Sequence, residues 1–271
     1  MSLVYKPVGR AQEFVESKKD KRDSWAINIY SGCPHRCAYC FVPCMPPWKF
    51  KADARERFHE QCKPAVDFKK LETQLKKLHQ LQDPVHACFT CDPYPEGSDT
   101  TPTRRVLELF DYYKIENVQV LTKNGIGAER DFDLIGKNNW KFGTTIVAVN
   151  EYYYSCWNNH GLHQDGYEPM RSAFVDREAA LQIAYDRGIH TWVSMEPVVF
   201  TKDALEVLEQ IRPWVNLWKI GKLNHGSEIS QALGRIEAEQ DWRGFVRQVK
   251  KLLEPGEYMF KDGLLKYDTE N

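Results

Sequence analysis

Short apolar runs alternate with amphipathic segments along the whole chain. The first run, Trp25 to Tyr30, reads as a strand, and Val85–Thr90, Val118–Thr122, Phe142–Val149, Thr191–Val199 and Val215–Ile220 repeat the pattern. Between them apolar residues recur at helical spacing. One such segment carries Phe68, Leu71, Leu75 and Leu78, and the next carries Val106, Leu109, Phe110 and Tyr113. A short helix lies near Phe132–Ile135, and another places Ala180, Ile183 and Ala184 ahead of Gly188, a helix-ending residue. Thr201 reads as the cap of a helix with Leu205, Leu208 and Ile211 inward, and Phe245, Val249 and Leu252 mark the last helix. The strands are apolar throughout rather than alternating, as strands covered on both faces must be. Six β-then-α units of this kind predict one α/β domain with parallel strands wrapped by helices. Periodicity alone leaves an open doubly wound sheet and a barrel both standing.

No internal repeat, low-complexity tract or linker divides the chain, so residues 25–225 read as one core, with an N-terminal arm at 1–24 and a C-terminal helix and tail at 226–271. Two stretches break the alternation. Phe41–Pro64 contains Pro43, Pro46, Pro47 and Pro64 and reads as irregular chain around the loop before it. Glu151–Val175 carries Tyr152, Tyr153, Tyr154, Trp157, His160, His163 and Tyr167, an aromatic content that favours an ordered lid over a flexible linker.

Composition narrows the function classes. With a net charge of −1 over 271 residues, the chain is not a strongly basic nucleic-acid binder, although a local basic patch is compatible with it. Lys18-Lys19-Asp20-Lys21-Arg22 reads as part of a solvated arm. No apolar run approaches the ~20 residues of a membrane span. Eight cysteines in a chain this long, with no signal-peptide pattern, do not suggest a secreted disulfide framework; a reducing cytoplasm is expected.

The densest chemistry lies in Cys33-Pro34-His35-Arg36-Cys37-Ala38-Tyr39-Cys40, directly after the first strand. Thiolates suit iron–sulfur centres, and three ligands on one tight loop leave one iron of a [4Fe–4S] cluster open to a substrate or cofactor. A zinc site is the alternative, because Cys44 could complete C-x3-C-x2-C-x3-C. A four-cysteine electron-transfer cluster is another, although the familiar ferredoxin spacings differ. Cys44 follows Pro43 and precedes Pro46-Pro47, in chain leaving the loop, and is read as a non-ligand.

The C-x3-C-x2-C spacing, with Tyr39 just before its last cysteine, resembles the radical S-adenosylmethionine (SAM) superfamily. The resemblance implies a partial (β/α)6 radical SAM barrel of parallel strands, with its site at the strands' C-terminal ends. It also implies a [4Fe–4S] cluster on Cys33, Cys37 and Cys40 whose open iron takes SAM's amino and carboxylate groups. One-electron cleavage of SAM then yields methionine and a 5′-deoxyadenosyl radical that abstracts hydrogen. The electron would come from a flavodoxin- or ferredoxin-type donor.

Further motifs narrow the branch. Thr90-Cys91-Asp92-Pro93-Tyr94, Thr103-Arg104, Leu121-Thr122-Lys123, and Glu168-Pro169 ahead of Arg177 together resemble the spore photoproduct lyase-like proteins over about residues 25–225. By that resemblance Tyr39 flanks SAM. Cys91, where the lyase has serine, falls with Asp92 where SAM's methionine moiety is held. Lys123 approaches SAM's carboxylate, and Thr144 supplies a hydroxyl contact. Asp92 has a second reading as the cap of the turn at Pro93. Two departures stand out: Phe89 occupies the position of the lyase's hydrogen-donor cysteine, with Cys88 and Cys91 nearby, and no DNA-clamping hairpin is identifiable after Pro255.

For the substrate, Glu196 in Ser194-Met195-Glu196-Pro197 reads as a carboxylate at the barrel mouth, binding a substrate amine or SAM's ribose, with a structural salt bridge as the other reading. Lys219, Lys222, Asn224 and His225 follow the sixth strand toward the same mouth. Tyr153, Tyr154 and Trp157 suit stacking on a base or shielding a radical, and Cys91 and Glu196 are the catalytic candidates. The expectation is a radical SAM lyase or isomerase acting on a nucleobase, nucleotide or nucleic acid, including a modified thymidine in DNA. A peptide, amino acid or small metabolite is the alternative substrate, and a non-enzymatic iron–sulfur or zinc protein the alternative class.

Overall fold

An eight-stranded sheet forms the spine of the computed structural model, which describes residues 3–6, 23–35, 37, 39–45, 53–149, 173–223 and 240–268. Its strands run in the order β1 (Val4–Tyr5), β2 (Trp25–Ile27), β5 (Val85–Ala87), β6 (Val118–Thr122), β7 (Lys141–Thr145), β8 (His190–Val198), β9 (Leu217–Lys222) and β10 (Tyr258–Phe260). From β2 to β10 every neighbouring pair is parallel, and β1 is an antiparallel edge strand on β2. β3 (Tyr30–Ser31) and β4 (Lys63–Pro64) form a separate antiparallel pair, with α1 (Ala54–Glu60) between them in the chain. The parallel strands are linked by α2 (Phe68–Leu75), α3 (Thr101–Tyr112), α4 (Phe132–Lys137), α5 (Ala173–Asp186), α6 (Thr201–Ile211) and α7 (Trp242–Leu252). α8 (Asp262–Leu265) follows β10. The sheet is open, so the architecture is a mixed α/β single domain consistent with a partial barrel.

Strand periodicity sorts the side chains into two faces. Val118, Val120 and Phe142 pack toward the helices; the Phe142 and Phe132 rings meet edge to face at 4.7 Å. Full burial of each such side chain contributes about 1.5–3 kcal/mol. The opposite, inner face is polar. In the strand register His86 lies beside Gln119, Gly143 beside Trp192, Thr145 beside Ser194, and Ser194 beside Lys219. Trp192 lies flat over β7, and a Cβ on Gly143 would stand 2.4 Å from its ring. Lys219 Nζ sits 3.8 Å over the same ring and donates to Gln119 Oε1 at 3.1 Å. The interior is thus closed by Trp192, Gln119 and a Lys219 that is only 1% exposed.

β6 spans the residues its hydrophobic run predicts. Three features differ from expectation. A seventh parallel strand, β10, lies within the stretch read as helix and tail. α1 lies within the stretch read as irregular. Thr201 is the first helical residue of α6 rather than its cap; Phe200 takes the cap position, and Thr201 N and Oγ1 lie 3.0 and 3.2 Å from Gln240 Oε1. Most of the Glu151–Val175 stretch falls outside the described residues. Among the described residues no helix is long and apolar enough to cross a membrane.

Candidate functional site

The cysteine loop leaves β3 through Gly32, whose φ of +86° lies in the left-handed region that glycine adopts without strain. A Cβ there would stand 2.7 Å from Phe58 O, so the loop can lie against α1 only with glycine at this turn. Cys33 N donates to Phe58 O at 3.0 Å, and His59 Nδ1 lies 2.8 Å from Cys33 O, which makes Nδ1 the protonated nitrogen. Arg55 donates from Nη1 to Cys37 O (3.1 Å) and from Nη2 to Cys40 O (3.3 Å). Cys37 is buried, while Cys33 and Cys40 pack half-buried against Val42 and Phe58. All three are free thiols.

Burial pushes the Cys33 thiol well above its ordinary value and Cys40 up to about 12, and the neighbouring Cys37 adds to both; Lys123 and Arg55 pull Cys40 back toward the thiolate. The donor set is three soft sulfurs on one sheltered loop with cations beside them, which fits a [4Fe–4S] cluster. Among the described residues no three His, Cys, Asp or Glu side chains converge to hold a single metal ion. A cubane does not require that convergence, because each thiolate binds a different iron. Cys44 is exposed.

Asp92 ties this loop to the strand ends. Its Oδ1 accepts from Tyr94 N (2.8 Å) and Thr122 Oγ1 (2.6 Å), and its Oδ2 accepts from Lys123 N (2.8 Å). His35 Nε2, from within the cysteine loop, lies 3.3 Å from Oδ2 at ion-pair distance. Burial by itself would raise Asp92, but His35, Thr122 and Lys123 outweigh it and hold the carboxyl well below the usual carboxylate range. Both oxygens are occupied by protein donors, so the structure gives Asp92 the turn-capping role and a bracing role besides.

Lys123 stands at the end of β6 with Nζ 3.3 Å from Thr145 Oγ1 and 5.7 Å from the centroid of the Tyr39 ring. The buried Arg177 fixes this corner, donating from Nε to Lys123 O (2.7 Å) and from Nη1 to Thr145 O (2.9 Å). Alternation places Thr145 on the Lys123 face of β7. Thr144, the residue named from the sequence, is in register with Thr122, its buried hydroxyl without a hydrogen-bond partner among the described residues. Sequence reasoning missed Thr145, which the period of two could have found. It also missed Arg55 and His59, whose work on main-chain carbonyls leaves no spacing signature.

Cys91 is half-buried, its Sγ 3.9 Å from Asn28 Oδ1, which also accepts from Phe89 N and Thr90 N at 2.9 Å. Burial first, and then contact with Cys88, push the Cys91 thiol well up. Glu196 forms an ion pair with Lys261, from the residue after β10, in space that Gly221 leaves open. This is the salt-bridge reading of Glu196. Lys222, expected at the mouth, instead lies over the rings of Trp242 (4.4 Å) and Tyr267 (5.4 Å), where cation–π attraction draws it to the C-terminal segment. In the Thr103-Arg104 motif Thr103 bonds Pro93 O and Tyr30 OH, and Arg104 forks onto Asp133 at 2.6 and 2.9 Å. Tyr153, Tyr154, Trp157, His160, His163, Glu168, Pro169, Asn224 and His225 lie outside the described residues.

No family model matches the chain. An uncharacterized protein of Methanocaldococcus jannaschii is 24% identical over 220 residues, covering 79% of this chain and 76% of that one. Among solved structures, a spore photoproduct lyase variant with bound AdoMet and dinucleoside spore photoproduct superposes with a TM-score of 0.60 at 14% identity, covering 92% of this chain and 79% of the other. A second spore photoproduct lyase structure gives 0.62 at 14% identity, covering 94% and 81%. Streptococcus suis SuiB bound to S-adenosylmethionine gives 0.60 at 10% identity, covering 90% of this chain and 51% of SuiB. In architecture the chain shares the fold of the radical SAM enzymes, spore photoproduct lyase among them.

Proposed function

We propose that this chain is a radical SAM enzyme. One observation carries the reading: Cys33, Cys37 and Cys40 share one sheltered loop, with the Tyr39 ring and Lys123 Nζ beside them at the C-terminal end of the sheet. Bound there, a [4Fe–4S] cluster would supply the electron that splits SAM into methionine and a 5′-deoxyadenosyl radical, which takes hydrogen from the substrate. Lys123 is placed to pair with SAM's carboxylate, and Tyr39 to flank it. Thr145 and Arg177 hold Lys123 in position. Trp192 and Gln119 close the inner face below, which keeps water from a reactive carbon centre.

The substrate we infer is a nucleobase, nucleotide or nucleic acid, including a modified thymidine in DNA, cleaved or rearranged after hydrogen abstraction. Likeness in fold to a lyase whose structure holds a dinucleoside photoproduct supports this. A flavodoxin- or ferredoxin-type protein would deliver the electron, in a reducing cytoplasm. The test is anaerobic turnover of the reconstituted, dithionite-reduced protein with SAM and methyl-deuterated thymidine, thymidine nucleotide or oligonucleotide. Deuterium in the recovered 5′-deoxyadenosine identifies the substrate. Unlabelled 5′-deoxyadenosine from all three moves the substrate to the peptide, amino-acid or small-metabolite class, and no 5′-deoxyadenosine at all refutes the enzyme.

A further inference from the structure

All three cysteines of the loop have their backbone carbonyls held by side chains of one short helix. His59 meets Cys33 O at 2.8 Å, and Arg55 forks onto Cys37 O and Cys40 O at 3.1 and 3.3 Å. The helix contributes its main chain as well, since Phe58 O takes Cys33 N at 3.0 Å. The Phe58 side chain, 1% exposed, packs with Val42 against Cys33 and Cys40. A single guanidinium bridging two of the three cysteines is a device lysine cannot reproduce, because only the planar fork presents two parallel donors.

We infer that α1 is an electrostatic clamp on the cysteine loop and that its Arg55 is a positioning residue that sets the reduction potential of the centre the loop holds. The inference rests on the cluster reading above. Reduction adds one electron, and so one negative charge, to a centre already carried by thiolates. A guanidinium held at Cys37 O and Cys40 O stabilises that added charge. The carbonyl bonds hold Cys37 and Cys40 at fixed separation, so that the loop is organised before the cluster arrives.

The test uses Arg55→Gln, Arg55→Lys and His59→Gln with two readouts. In the first, the reconstituted proteins are titrated with dithionite under redox mediators and followed by electron paramagnetic resonance. Arg55→Gln should lower the equilibrium constant for one-electron reduction about tenfold, a midpoint about 59 mV more negative. Arg55→Lys keeps the charge and should recover most of that shift. In the second, the metal-free proteins are alkylated with iodoacetamide and the labelling of Cys33, Cys37 and Cys40 is followed by mass spectrometry. Both Arg55 variants should label Cys37 and Cys40 severalfold faster than wild type, and His59→Gln should do so at Cys33. An unchanged midpoint in Arg55→Gln overturns the potential-setting role, and unchanged labelling overturns the clamp. If Arg55→Gln does not fold, the Arg55→Lys and His59→Gln labelling rates decide the clamp. If wild-type protein takes up no cluster, the cluster reading falls, and the labelling arm still decides the clamp.

Discussion

Asp92→Asn is the sharpest structural perturbation of the site. The amide keeps one acceptor oxygen for Tyr94 N and Thr122 Oγ1, but places an NH2 group against the donor Lys123 N at 2.8 Å and removes the negative charge 3.3 Å from His35 Nε2. Two charge-assisted interactions lost at about 1.5–3 kcal/mol each give about 3–6 kcal/mol. It is a large share of the ~5–15 kcal/mol that holds a typical domain. At roughly 2–4 °C per kcal/mol, the midpoint should fall by about 6–24 °C in scanning calorimetry of the metal-free protein. The sign of the pH dependence follows from the carboxyl being held below its ordinary range. Its stabilisation is complete above the unfolded value of about 3.9 and is lost as the pH falls toward the folded one, so the gap between wild type and variant should begin to narrow only below about pH 4. A variant melting within about 2 °C of wild type at neutral pH would refute the bracing role.

Other perturbations probe separate parts of the site. Lys123→Ala should keep the cluster and weaken SAM binding roughly 10- to 150-fold, from loss of a charged hydrogen bond of about 1.5–3 kcal/mol, read by equilibrium dialysis with labelled SAM. Alanine at Cys33, Cys37 or Cys40 should abolish the ~400 nm absorbance of the reconstituted protein, whereas alanine at the exposed Cys44 should leave iron content near wild type. Gly143→Ala drives a methyl into the buried Trp192 ring and should cost about 1–3 kcal/mol in urea unfolding, with a shifted tryptophan emission. Glu196→Gln and Lys261→Met should each destabilise alone, and the double variant should recover part of the loss, if the pair is a structural ion pair.

How much was legible in the sequence differs by element. β6 was readable because Val118–Thr122 is a clean apolar run between polar segments. β10 was not, because Tyr258-Met259-Phe260 is three residues long and its strand character comes from pairing with β9. α1 was hidden by composition: Phe58 is its one strongly apolar residue, so no helical stripe marks it, and its docking on the cysteine loop supplies the order. The cysteines stood out because a cluster site of the kind proposed would demand both their residue type and their spacing. Lys123 beside Tyr39 followed from the motif resemblance, and the structure sets the two 5.7 Å apart. Asp92 was ambiguous from sequence because a carboxylate at a turn can face a ligand or its own backbone, and only the three-dimensional donor set decides. Glu196 and Lys222 met partners from the C-terminal segment, Lys261 and the Trp242–Tyr267 pair, contacts too distant in sequence for any local pattern to reveal.

The central claim is that the three-cysteine loop binds a cluster that cleaves SAM. Its most direct measurement is product formation by the anaerobically reconstituted protein, reduced with dithionite in the presence of SAM and resolved by liquid chromatography. The account predicts iron and sulfide in cubane proportion, with 5′-deoxyadenosine and methionine released in equal amounts and both lost when Cys33, Cys37 or Cys40 is replaced by Ala. Tight binding of a single zinc ion, or a full cluster that leaves SAM intact after reduction, would contradict it.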